Sequence, residues 1–356
     1  MQSTRPQLAA RPLGIFRLCL ALTVLVHHFG INFLPTLPSS YIIYFQPGTI
    51  GVYIFLFLSS YIIMTVAVGP YFIRPMEFIQ NRALRILPEL FSSLIFAICV
   101  QYFLFNYGFE AEQYYVPDSS DAFSLRNIAL NFLVLFPYPN PITKWDFVIV
   151  FWSVKYEIIF YLVTFAYLSL VKISFSVNKL ETLEITMAAS CLLVVAVTFF
   201  GGLSGSHLFM AQIFTFLACG SLYFLVREGN IFQGNNGIFG LALIFGALAW
   251  NTKNITGSNP VVLIFCTFIV ASIFLLECRV RNQKYKRIDH LCGDMSYTIF
   301  LFHVPIGSLV RNFVGSGWAS FVVASALSLI LSYVICQIMR HIFAPLRNRI
   351  RGRSLD

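Results

Sequence analysis

Arg17 and His28 lie in the apolar run "IFRLCLALTVLVHHFG", where an uncharged segment would be expected. Ionisable groups inside a membrane are costly and mark a function by default. At about 100° per residue, eleven positions bring Arg17 and His28 within about 20° of one helical stripe, ~16 Å apart along the axis. His27 falls about 80° behind Arg17, so helical phase favours His28 as the partner on that face and predicts that His27→Ala is tolerated. The bland alternatives are an arginine that snorkels to the inner interface and a histidine satisfied by packing.

Three further stretches carry the same signature. In "FWSVKYEIIFYLV" Glu157 sits about a dozen residues into an apolar span and needs a cation or a hydrogen-bond donor; Lys155, two positions away, points to the other side of a helix. In "GDMSYTIFLFHVPIG" His303 is followed by Pro305, which would free the carbonyl of residue 301 and kink the helix beside the imidazole. In "FIQNRALRILPEL" Arg82 and Arg85 share one helical face just before Pro88, placed here in the first turn of the following helix. Two adjacent guanidiniums can grip phosphate or pyrophosphate bidentately, although alone they also read as a topology marker. Together these residues suit a proton-transfer site joined to an anion site.

The elements that must hold them are transmembrane helices. Of 356 residues, 58% are hydrophobic and 11% charged, and the mean hydropathy is +0.77. That composition describes a polytopic membrane protein, all-α, with no separate soluble domain. Spans are expected near 15–34, 48–68, 88–106, 146–171, 186–202, 207–226, 236–250, 259–277, 295–313 and 319–340, about ten in all, with 127–136 an interfacial piece too short to cross. Residues 1–14 read as a cytoplasmic segment, 15–341 as one membrane domain and 342–356 as a basic cytoplasmic tail. The first run has no cleavage signature and is read as a retained helix. Eight scattered cysteines with no CxxC or Cys/His cluster argue against disulfides and structural zinc.

The net charge of +9 belongs to topology. With the N-terminus inside, the inner side collects Arg5, Arg11, Arg74, Arg82, Arg85, Lys172, Lys179, Arg227, "RVRNQKYKR" at 279–287 and "RNRIRGR" at 347–353, while the outer loop near 107–126 is acidic. Both termini are therefore expected in the cytoplasm. Basic residues spread over several loops give no reason to invoke nucleic acid, but such a face attracts anionic lipid headgroups or a phosphate-bearing cosubstrate.

These stretches, with "PGTIGVYIFLFLSSYIIM", resemble the acyltransferase family 3 of membrane proteins, which includes bacterial O-acetyltransferases of exopolysaccharide, O-antigen and Nod factor. Arg17, His28, Arg82, Arg85, Glu157 and His303 all keep the family's residue types. Tyr53 and Ser60 depart from it, standing where the family pattern has an acid and a glycine. The chain looks like the short, stand-alone form. The resemblance implies transfer of an acyl group, usually acetyl from acetyl-CoA, to a hydroxyl of a glycan or lipid-linked sugar at a bacterial cytoplasmic (inner) membrane, without a metal. Other polysaccharide-biosynthesis proteins, or a second copy of the chain, are the further partners considered.

In that scheme Arg82 and Arg85, with Arg17, hold the donor's phosphates. His28 is the base, acting directly or through an acyl-histidine; Glu157 orients or stabilises the imidazolium, and His303 polarises the thioester carbonyl or assists proton transfer. The competing class is a proton-coupled secondary transporter, which buried His, Glu and Arg would also suit, but no repeated halves or paired broken helices are found.

Overall fold

The computed structural model describes residues 13–34, 47–109, 116–133, 145–173, 178–228, 235–256, 259–277 and 282–350. Arg5, Arg11, Glu110, Glu112, Lys144 and Cys278 lie outside these residues, as do the ends of the expected inner segment and tail. The described elements are helical: α1 (Leu13–Phe33), α2 (Pro47–Val68), α3 (Pro75–Asn106), a 3₁₀ turn (Ser120–Phe123), α4 (Leu125–Phe132), α5 (Phe151–Ile173), α6 (Lys179–Phe200), α7 (Gly205–Glu228), α8 (Asn235–Thr256), α9 (Asn259–Glu277), α10 (Gln283–Val314) and α11 (Trp318–Ile350). Among the described residues eight helices are long and apolar enough to cross a bilayer, namely α1–α3, α5–α7, α10 and α11. The chain is an all-α integral membrane protein. A helix satisfies its own backbone, which is why such a sequence adopts nothing else in lipid.

Three boundaries differ from expectation for local reasons. α3 begins at Pro75, so Arg82 and Arg85 lie inside it and Pro88 is an interior proline, not a first-turn one. Pro75 already occupies the position where a missing N–H costs nothing. α5 begins at Phe151, which puts Glu157 in its second turn and not a dozen residues deep. α11 continues to Ile350, through residues that read as tail, with Pro345 inside it.

The chain divides into two compact units, one taking in Tyr53–Arg82 and Tyr156–Arg281, the other Pro12–Val52, Ala83–Lys155 and Asn282–Asp356. In the second unit α1 and α10 run parallel, side by side. Ile15 N–H donates to Asp289 Oδ1 at 2.9 Å, supplying one of the partners that a helix N-terminus lacks. Gly14 makes the contact possible: a Cβ there would lie 1.7 Å from the Asp289 carbonyl oxygen. α11 returns antiparallel, and its buried face is Ser320, Ala324, Ser328, Ser332 and Cys336, every fourth residue. Its large side chains, such as Val322, Ile330 and Ile338, are exposed. In lipid, burying a large aliphatic gains little, so helices associate through small residues that let backbones approach.

α4 is the short interfacial piece. Ser124 caps it, and Asn127 and Asn131 both donate to the Trp145 carbonyl, at 3.0 and 2.9 Å. Trp145 Nε1 in turn donates to Gln101 of α3 at 2.7 Å. These bonds tie the connection between α3 and α5 to the membrane domain.

Candidate active site

The close contact at Gly14 sets the register of α1 against α10, and further along both helices that register brings His28 to His303. Their ring centroids are 5.2 Å apart at 50°. His303 is fully buried. Its Nδ1 lies 3.1 Å from the Ile299 carbonyl, which has only acceptor capacity, so Nδ1 carries the proton in the neutral ring. Nε2 is then left with a lone pair, and no hydrogen-bond partner meets it among the described residues. Phe29 closes one side, 6.0 Å from the His303 ring.

His27 has a different environment. Its ring stands edge-on to His28 at 5.5 Å, and a Cβ on Gly48, in the first turn of α2, would lie 2.7 Å from His27 Cδ2. Glycine lets α2 close over His27. The ring is a spacer between that helix and His28.

Arg17, eleven residues below His28, is buried on α1. At the same end of the unit, α3, α10 and α11 line a partly open cleft whose walls include Arg85, Glu89, Asp294, Tyr297, Arg340 and Arg347. Thr298 Oγ1 donates to Glu89 Oε2 at 3.1 Å. His290 Nδ1 and Arg340 Nε approach Asp294 Oδ2 at 3.1 and 3.7 Å. From Asp294 to His303 the rise along α10 is ~14 Å. Of these residues only Arg85 was singled out from sequence. Glu89 carries the same signal as Glu157, an acid beside an apolar run in "LPELFSSLIF"; Arg347 opens the basic "RNRIRGR" read as tail, and nothing local joins it to Asp294 and Arg340, because their meeting depends on helices distant in sequence.

The remaining predicted residues fall in the other unit. Glu157 is buried and its hydrogen bond comes from Tyr161 Oη, one turn on in α5, at 2.7 Å. Arg82 is buried, its guanidinium 6.0 Å from the Phe78 ring centre and 5.9 Å from that of Tyr161. Tyr161 thus contacts both the carboxylate and the cation. Where the family pattern is broken, Tyr53 stacks on Phe216 at 4.5 Å, and Ser60 faces Gly220, where a Cβ would lie 2.1 Å from Ser60 Oγ. Gly220 is the small residue that lets α2 and α7 approach closely here.

Residues 13–337 match the family model described as an acyltransferase domain. The chain belongs to this family. No curated protein and no solved structure matches it. This acyltransferase therefore has a membrane-embedded histidine pair in its matched region, while Arg340 and Arg347 lie beyond the match.

Proposed function

We propose that this acyltransferase moves an acetyl group from cytoplasmic acetyl-CoA to a hydroxyl of a cell-surface or lipid-linked glycan. The observation that carries the reading is the contact of half-buried His28 with fully buried His303 on the parallel helices α1 and α10, with Arg17 of α1 and Arg85 of the neighbouring α3 towards their basic end. Coenzyme A is polyanionic and soluble, so its phosphates suit that basic end, and its neutral pantetheine arm suits the apolar path towards the histidines. Arg85 and Arg17 are the residues that would hold the phosphates.

A sugar hydroxyl is a weak nucleophile near neutral pH and needs a positioned base. His28 accepts the hydroxyl proton as the oxygen attacks the acyl carbon. The C–S bond breaks, and the proton ends on the leaving thiolate, so the reaction is balanced without another reactant. The lone pair on His303 Nε2 supports its role as proton acceptor from His28 rather than as a donor to the thioester carbonyl. For Glu157, whose carboxylate accepts from Tyr161 Oη, the proposed role is the one the family resemblance implies, stabilising the imidazolium. Ten crossings, both termini in the cytoplasm and a bacterial inner membrane complete the proposal. α1, α3 and α10 run in one direction, as the first, third and ninth of ten alternating crossings would; Glu89 meets Thr298, and Phe96 meets Phe302 at 5.6 Å further along both helices.

The test is purified protein in nanodiscs with acetyl-labelled acetyl-CoA and candidate glycans. Label on the glycan, lost in His28→Ala at unchanged protein level, is the expected result. CoA-independent solute uptake with no labelled glycan would overturn the reading in favour of a transporter.

A further inference from the structure

The cleft between α3, α10 and α11 holds two arginines, Arg340 and Arg347, that the proposed reaction does not use. Three guanidiniums, Arg85, Arg340 and Arg347, converge there with two carboxylates, Glu89 and Asp294. Arg85 and Arg347 are within electrostatic range of both acids. Each acid also has a neutral or titratable partner: Thr298 donates to Glu89, and His290 shares Asp294 with Arg340. Three guanidiniums against two carboxylates leave the cleft with a net positive charge, and the acids help to hold the arginines in position. Asp294 meets Arg340 at Nε, which leaves the Nη groups as donors for a second acceptor.

An ordinary topology anchor is the competing explanation, and it fits Arg349, which is exposed near the end of α11. It does not fit Arg340 and Arg347. Seven residues put these two within about 20° of one stripe, and both line the cleft opposite Arg85 of another helix. Planar, bidentate donors from two helices around an open space match the geometry of phosphate oxygens.

We propose that this cleft is an anion site for a phosphate-bearing ligand, with the cytoplasmic extension of α11 supplying two of its three cations. The phosphate can come from the donor cosubstrate or from an anionic lipid headgroup. For the first source the inference rests on the proposed reaction, and for the second it does not.

The test uses the full-length protein in phosphatidylcholine nanodiscs, as wild type and in a His28→Ala background, so that binding is read without turnover. Coenzyme A and inorganic pyrophosphate are titrated by calorimetry, and phosphatidylglycerol adducts are counted by native mass spectrometry. Arg347→Gln and the Arg340→Gln/Arg347→Gln pair are compared with Arg349→Gln. A donor site predicts at least a tenfold rise in the Kd for coenzyme A and for pyrophosphate in Arg347→Gln, none in Arg349→Gln, and weaker binding as salt is raised. A lipid site predicts loss of phosphatidylglycerol adducts at unchanged coenzyme A affinity. The proposal is overturned if Arg347→Gln, and the pair where it folds, bind all three probes as wild type does. Absent acetyl transfer with intact pyrophosphate binding would defeat the proposed reaction and leave the site standing.

Discussion

A neutral imidazole accepts a proton through one nitrogen and donates through the other, so the partner of each nitrogen assigns its work. His303 spends its Nδ1–H on the Ile299 carbonyl, and His28 is the ring in contact with it. His27 touches His28 only at its edge and is wedged under Gly48. His28→Ala should lower kcat by roughly 10²–10⁴-fold, the contribution of a positioned base. His27→Phe keeps the wedge without the proton chemistry and should stay within tenfold of wild type. Steady-state kinetics on both variants decides it: equal damage from the two would mean that His27 shares the chemistry. Tyr161 invites a second substitution. Tyr161→Phe deprives the buried Glu157 of its donor, a loss of about 1–3 kcal/mol. The expected readout is a lowered thermal midpoint together with a kcat lowered by roughly tenfold in the folded enzyme; a midpoint that falls while the surviving enzyme keeps full kcat would make the bond purely structural.

Helix phase explains what was legible in the sequence and what was not. Arg17 and His28 are on one helix, where 3.6 residues per turn fixes their common face, so spacing alone pairs them. Nothing local links His28 to His303 or Arg85 to Arg347; those meetings depend on interhelical register. The start of α3 was misplaced because two prolines, Pro75 and Pro88, compete for the same first-turn signal, and in lipid an interior proline is tolerated. Register itself depends on small residues. Gly14→Ala places a methyl group against the Asp289 backbone, which cannot rotate away, and overpacking of this kind costs about 1–3 kcal/mol. The displaced α1 carries His28 with it, so activity should fall further than stability. Gly246→Ala on α8, where no atom lies within 4 Å of the added carbon, is the control and should be neutral or slightly stabilising. Thermal unfolding in detergent, run beside the transfer assay, checks both, and a Gly14→Ala protein with wild-type midpoint and activity would mean that the contact does not set the register.

At the scale of the whole molecule, charge and helix direction bear on the same question from independent sides. The excess of nine positive charges is concentrated in segments that alternate with apolar runs, and insertion places such segments in the cytoplasm. Separately, α1, α3 and α10 run in one direction and bring their basic ends to one side, with Arg17, Arg85 and, on the antiparallel α11, Arg340 and Arg347. A soluble polyanionic donor must enter from that side if the reaction is as proposed, because it cannot cross the bilayer. Topology therefore becomes a test of mechanism. Green fluorescent protein fused after residue 356 should fluoresce, and alkaline phosphatase fused there should be inactive. Alkaline phosphatase fused after Gly108, beyond the other end of α3, should be active. The reverse pattern would put the arginines on the far side from coenzyme A, and the histidine pair would then need a donor that reaches it from outside the cell.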